Sequence, residues 1–167
     1  MTNESTYKEM SEESYLMESP LGTLALKAND DGLMEVLFSK ETPDSGNVPK
    51  LLENPVEQLR AYFSGQRKHF DLALNPQGTD FQKRVWKRLE EIPYGHTASY
   101  LDIARQLGDE KATRAVGAAN GKNPIAVVVP CHRVVGSDRS LTGYAGGIQN
   151  KKWLLELEHG GVQSSLF

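Results

Sequence analysis

Apolar positions alternate in short runs through the first half of the chain and recur at helical spacing through the second. Tyr15 to Glu18 forms a first short strand, stopped at Ser19-Pro20. Thr23 to Ala28 and Leu33 to Phe38 are apolar-rich runs on either side of Asn29-Asp30-Asp31-Gly32. That pattern predicts a hairpin with a four-residue loop. Residues 39–48 hold Pro, Gly, Asp and Asn and read as a loop. Leu52, Val56, Leu59 and Phe63 fall on one helical face, with Gly65 as a stop. Phe70, Leu72 and Leu74 alternate and predict another short strand, and Asn75-Pro76-Gln77-Gly78 is the linker candidate.

Beyond that linker the pattern is helical. Thr79 with Gln82 makes a capping box ahead of Phe81, Val85 and Leu89 on one face, and Pro93-Tyr94-Gly95 ends the helix. Ser99 with Asp102 repeats the box ahead of Tyr100, Ala104 and Leu107, and Gly108 closes that helix. A third helix covers about 111–120, stopped by Gly121. Two short helices around a Gly-containing turn fit a helix-turn-helix, and as a bare pattern they fit an ordinary helical hairpin better. A last helix covers about 149–159, ended by Gly160-Gly161. Residues 1–14 are polar and expected to fray, and residues 162–167 to pack loosely. The expectation is an α+β protein in two units, a small α+β unit over 1–77 and a mostly helical one over 78–167.

Composition sharpens this in two places. The single cysteine cannot form an intramolecular disulfide, and no 18-residue apolar run or leader-like segment occurs, so a soluble, cytoplasmic protein is expected, without a membrane partner. The formal net charge is −3, but it divides unevenly: residues 1–77 hold 7 Lys+Arg against 13 Asp+Glu, and residues 78–167 hold 12 against 9. The helical half is locally basic, the weak footprint of a phosphate-bearing partner.

The candidate chemistry lies in Pro130-Cys131-His132-Arg133-Val134. Cys131 follows the β-branched run Val127-Val128-Val129 and a proline, which reads as a thiol on a rigid strand end. A lone cysteine is as readily a small buried hydrophobe. The neighbouring His132 and Arg133 favour a reactive thiolate, because cationic groups lower a thiol pKa. No phosphate-binding glycine motif and no zinc-ligand spacing is present, so no metal is expected.

The stretch Val129-Pro130-Cys131-His132-Arg133-Val134-Val135 resembles the acceptor-site signature of the O6-alkylguanine-DNA alkyltransferases, the methylated-DNA–protein-cysteine methyltransferases. The likeness continues in Phe81-Gln82 with Val85-Trp86, Ile92-Pro93-Tyr94-Gly95, Arg114-Ala115-Val116-Gly117, Asn123-Pro124 and Gly143-Tyr144-Ala145-Gly146-Gly147. The resemblance implies a ribonuclease-H-like first domain and a helix-turn-helix that works in the minor groove. It implies direct repair of double-stranded DNA containing O6-alkylguanine, by a monomer, with O4-alkylthymine as a further substrate. The alkyl group passes irreversibly to Cys131, without a cofactor, so that each molecule acts once.

It also implies roles. His132 takes the thiol proton through a water molecule, and Glu158 orients His132. Asn123 braces the turn before the nucleophile. Tyr100, Val134, Tyr144 and Ala145 line the site of the flipped base, Tyr100 as a proton donor. Arg114 fills the vacated stack, and Gly117, Ala118 and Ala119 let their helix approach the sugar-phosphate backbone. Several relatives have serine where Ala145 stands, so one hydroxyl donor is missing from the loop. Some carry an N-terminal zinc site built on cysteines, which this chain lacks. Two rivals remain beside this reading. One is an alkyltransferase-like lesion sensor, a class without the acceptor cysteine. The other is a Cys-His hydrolase.

Overall fold

The structure, a computed structural model, describes residues 11–160. The expected loose tail and Gly161 lie outside that range, as does most of the segment expected to fray. Strand β1 (Glu12–Met17) already starts at Glu12, earlier than the sequence pattern suggests. It pairs antiparallel with β2 (Thr23–Asn29), which pairs antiparallel with β3 (Gly32–Ser39). The hairpin is tighter than expected: Asn29 pairs with Gly32, leaving Asp30 and Asp31 as the turn. Asn29 Oδ1 accepts from the Asp31 N–H at 2.9 Å, an Asx turn that substitutes for two loop residues. Gly32 has φ +143°, and a Cβ there would stand 2.5 Å from the Ala73 carbonyl oxygen. Both the conformation and the close approach require glycine.

Helix α1 (Glu53–Phe63) buries Val56, Leu59 and Phe63, as their spacing predicts, and Tyr62 beside them. The strand expected at Phe70, Leu72 and Leu74 does not form. Only Leu74 bridges β3, at Leu33. The alternation reflects apolar side chains lodged against the core on an otherwise irregular segment.

Both capping boxes are present. Thr79 and Gln82 open α2 (Asp80–Glu90), and Ser99 and Asp102 open α3 (Tyr100–Gln106). Each box satisfies two of the backbone N–H groups that a helix start leaves unpaired. A short strand, β4 (Ala98–Ser99), immediately precedes α3. A 3-10 turn, Glu110–Ala112, precedes α4 (Thr113–Gly121), which therefore begins later than the expected 111. Helices α2 and α3 both pack on α4. The Trp86 indole N–H donates to the Ala119 carbonyl at 2.8 Å and pins α2 to α4. Val134–Val135 forms β5, parallel to β4, and α5 (Ile148–Glu158) closes the described chain. One continuous set of buried apolar residues extends from Tyr15 to Leu154, so the sheet and the helical half share a core. Among the described residues no helix is long and apolar enough to cross a membrane.

Candidate active site

The segment between α4 and β5 positions the cysteine. At its start the edge of β3 holds it: the Val36 N–H donates to the Pro124 carbonyl at 2.9 Å, and the Ala126 N–H to the Val36 carbonyl at 3.0 Å. Beyond this bridge the run Val127-Val128-Val129 is not a strand. Val127 has φ +71°, and the Val128 N–H donates across it to the Ala126 carbonyl at 2.8 Å. This is a γ-turn on a β-branched residue, a conformation that costs about 1–3 kcal/mol. Pro130 (φ −82°, ψ 62°) forms an inverse γ-turn, closed by the Cys131 N–H on the Val129 carbonyl at 2.8 Å. Cys131–Arg133 is a single 3-10 turn. The thiol therefore follows two tight turns, and not the strand end that the β-branched run suggests.

Asn123 holds both turns in place. Its Oδ1 accepts from the Ile125 N–H at 3.0 Å, and its Nδ2 donates to the Val129 carbonyl at 2.8 Å. These bonds offset the strain at Val127. Asn123→Ala removes both and is expected to destabilise the fold by about 1–3 kcal/mol. It should also speed labelling of Cys131 by a thiol reagent as the turns loosen. Thermal unfolding and labelling rates check both.

Around Cys131 the polar groups form one buried network. The Glu158 side chain, at the end of α5, is fully buried. Its Oε1 accepts from Arg133 Nε at 2.8 Å, and its Oε2 accepts from Arg133 Nη2 at 2.9 Å, a two-pronged pair. Oε2 also accepts from His132 Nε2 at 2.8 Å and from the Tyr62 hydroxyl at 2.6 Å. Burial pushes the Glu158 carboxyl up, but the hydrogen bonds and charges of His132 and Arg133 outweigh it and hold the group well below the usual carboxylate range. Glu158 is thus ionised and can only accept. His132 Nε2 must carry the proton in this pair. Burial lowers the His132 pKa, with Glu158 opposing and Arg133 and Lys151 adding to the effect, so its resting form is neutral. The free lone pair then lies on Nδ1, which is buried and has no hydrogen-bond partner among the described residues.

The cationic neighbours act differently from the sequence expectation. Arg133 is spent on Glu158 and does not lower the thiol. Burial pushes the Cys131 thiol up, with the Asn123 side chain and the Lys151 charge opposing in part. At rest Cys131 is a protonated thiol beside a neutral base. Lys151 is fully buried. Its Nζ donates to the Val134 carbonyl at 2.6 Å and the Thr142 carbonyl at 3.2 Å. Burial lowers its pKa to about 8.

The expected pocket residues are distributed around this centre. Val134 is fully buried just after the 3-10 turn. Tyr100, the first residue of α3, has its hydroxyl hydrogen-bonded to Thr142 Oγ1. Tyr144 packs edge-on to Phe38 with centroids 5.5 Å apart, and its hydroxyl is buried without a partner among the described residues. A Cβ on Gly146 would stand 2.5 Å from the Phe38 ring, so only glycine lets the loop lie this close to β3. Ala145 is exposed at the loop tip. On α4, Arg114 and Ala118 are exposed, and Gly117 is half-buried beneath the Tyr100 ring. Ala119 departs from expectation: it is 2% exposed, and its side chain faces inward, where α4 packs on α2. It cannot meet a sugar-phosphate backbone in this structure.

Comparison with known proteins decides the family. Residues 80–160 match the model of the 6-O-methylguanine DNA methyltransferase DNA binding domain, and residues 14–76 match that of its ribonuclease-like domain. The chain belongs to the 6-O-methylguanine DNA methyltransferase family. The methylated-DNA–protein-cysteine methyltransferase of Methanosarcina acetivorans is 49% identical over 149 residues, 86% of this chain and 96% of that protein. The Mycobacterium bovis protein of the same name is 46% identical, over 90% of this chain and 94% of its own. A Mycobacterium tuberculosis OGT solved in complex with DNA superposes with a TM-score of 0.81 at 46% identity, over 92% of this chain and 96% of that one.

Membership in this family gives the missed residues their interest. Tyr62 and Arg133 hydrogen-bond to Glu158, and the Lys151 charge acts on Cys131 and His132; the sequence pattern assigns none of the three that role. Lys151 had a readable signal: it lies with Leu154, Leu155 and Glu158 at 0, 3, 4 and 7 along α5, two charges on an otherwise buried stripe. A charge on such a stripe needs a partner, and so marks a site.

Proposed function

We propose that this protein repairs O6-alkylguanine in double-stranded DNA by transferring the alkyl group to Cys131, acting once as a monomer in the cytoplasm and needing no cofactor. The proposed division of labour falls between residues 77 and 78. The observation that carries the reading is the Cys131–His132–Glu158 arrangement. A protonated thiol and a neutral imidazole share one 3-10 turn, Nδ1 is free, and a buried carboxylate holds Nε2. The naming of close relatives as methylated-DNA–protein-cysteine methyltransferases supports it.

The chemistry follows from that geometry. The thiol proton passes to His132 Nδ1 through a water molecule, and Glu158 stabilises the imidazolium that forms. The Cys131 sulfur attacks the alkyl carbon as the carbon–O6 bond breaks. The bonding electron pair leaves with the guanine, which is protonated, with Tyr100 as the proposed donor. The thioether that remains has no hydrolysis route at neutral pH, so the protein is consumed. Asn123 sets the turn that aims the sulfur, Val134 and Tyr144 bound the base, and Ala145 at the loop tip leaves that edge without a hydroxyl donor.

Base extrusion costs a few kcal/mol of unstacking and unpairing. Arg114, exposed on α4, is proposed to fill the gap, with Gly117 and Ala118 allowing the close approach of that helix. Arg114→Ala should therefore slow repair of duplex DNA much more than reaction with free O6-alkylguanine, which needs no flipping. Single-turnover rates on both substrates test the reading. Equal losses on the two would remove Arg114 from the flipping step, and no reaction of the parent protein with either would remove the function.

A further inference from the structure

We propose that Tyr62, carried by α1 in the N-terminal half, is a positioning residue of this site: its hydroxyl draws charge from the Glu158 oxygen that holds His132, and so keeps His132 a weaker base than Glu158 alone would make it. Four hydrogen bonds converge on the Glu158 carboxylate, and Oε2 accepts three of them. The Tyr62 bond, at 2.6 Å, is the shortest of the four. An acceptor oxygen shared among donors offers less negative charge to each. The imidazolium of His132 is stabilised mainly by that oxygen, so every further donor weakens the base.

The donor cannot turn away. Tyr62 is fully buried. Its ring is wedged against Phe70, Phe63 and Tyr94, with centroids at 5.2, 5.6 and 6.2 Å. Burial and the Glu158 charge push its phenol far up, so it stays protonated and serves Glu158 only as a donor. Among the described residues, Arg133 beside His132, Lys151 on α5, Tyr94 after α2 and Tyr144 in the loop also act on His132 or Glu158. Tyr62 is the member of this set supplied by the first half of the chain. The sheet domain thereby enters the chemistry: it holds the resting thiol protonated and unreactive until a substrate is seated, useful in a protein that reacts once.

The inference rests on His132 being the base, but its test reads proton binding and does not need methyl transfer. The His132 imidazole is titrated by NMR in the full-length protein, in Tyr62→Phe, and with 3-fluorotyrosine placed at position 62. Phenylalanine keeps the ring and removes the donor, so the His132 midpoint should rise. Labelling of Cys131 by iodoacetamide at neutral pH should become about three-fold faster, the equivalent of half a pKa unit. Fluorotyrosine is a stronger donor of nearly the same shape and should lower the midpoint below that of the parent protein. A loosened core would raise the midpoint in both variants, and a purely space-filling tyrosine would move neither; either outcome overturns the proposal. If the phenylalanine variant does not fold, the fluorotyrosine shift decides alone.

Discussion

Cys131→Ser is expected to abolish alkyl transfer while leaving binding of O6-methylguanine duplex DNA within a few-fold of the parent protein. A buried hydroxyl beside a neutral imidazole is a far poorer nucleophile than a thiol, because its proton is held much more tightly. Binding is proposed to rest elsewhere, on Arg114 and the small residues of α4 and on the pocket walls, none of which changes. The swap also removes little volume from a residue that is only 6% exposed. Single-turnover repair and titration of a labelled duplex measure the two effects. Residual stoichiometric methylation of the serine variant would show that another residue is the acceptor, and loss of binding in step with loss of transfer would show that Cys131 supports the fold.

Glu158→Gln is expected to damage both stability and chemistry. Removing one member of a buried ion pair leaves the other charge uncompensated, at a cost of about 3–5 kcal/mol. Arg133 is 7% exposed and pairs with Glu158 through two nitrogens. Glutamine keeps the shape and one acceptor, so the lower end of that range is expected. For a chain of this size that corresponds to about 6–12 °C in Tm. Transfer should slow because His132 loses the charge that stabilises its protonated form.

The same network sets the acid limb of stability. The Glu158 carboxyl is depressed in the folded protein, so its contribution is complete above its unfolded value of 4.5 and is lost as pH falls below that. The His132 pKa is also lowered by folding, from 6.5. Below 6.5 the unfolded chain binds this proton and the folded one does not, so stability again falls with pH. Both groups act in one direction, and Tm should decline from pH 6.5 downward and more steeply below 4.5. In Glu158→Gln the steeper part should disappear while the upper part remains. A curve parallel to that of the parent protein down to pH 3 would mean that Glu158 is not ionised in the fold.

The features legible in the sequence are those decided within a few residues. Thr79 with Gln82, and Ser99 with Asp102, make their bonds three positions apart, and both boxes form as read. The helical face of Val56, Leu59 and Phe63 is likewise local. The features that eluded it are decided by distant partners. Val127-Val128-Val129 has every local mark of a strand, yet the bridge from Val36 and the brace from Asn123 bend it into a γ-turn. Arg133 stands beside Cys131 in sequence but is claimed by Glu158, 25 residues on. Tyr62 meets Glu158 across 96 residues, with no local pattern to announce it. Cys131 and His132 stand out in the sequence itself, Glu158 follows from resemblance to a family, and the structure brings His132 and Glu158 into contact. Ala119 is small, as a residue facing a sugar-phosphate backbone needs to be, but its size serves the packing of α4 on α2.

The central claim is that Cys131 accepts the alkyl group. The measurement is the intact and peptide mass of the parent protein after incubation with duplex DNA carrying one O6-methylguanine. One methyl group per protein molecule is expected, located on the peptide containing Cys131, with an equal amount of guanine restored in the DNA. A methyl group on any other residue, or repair of many duplexes by protein of unchanged mass, would contradict it.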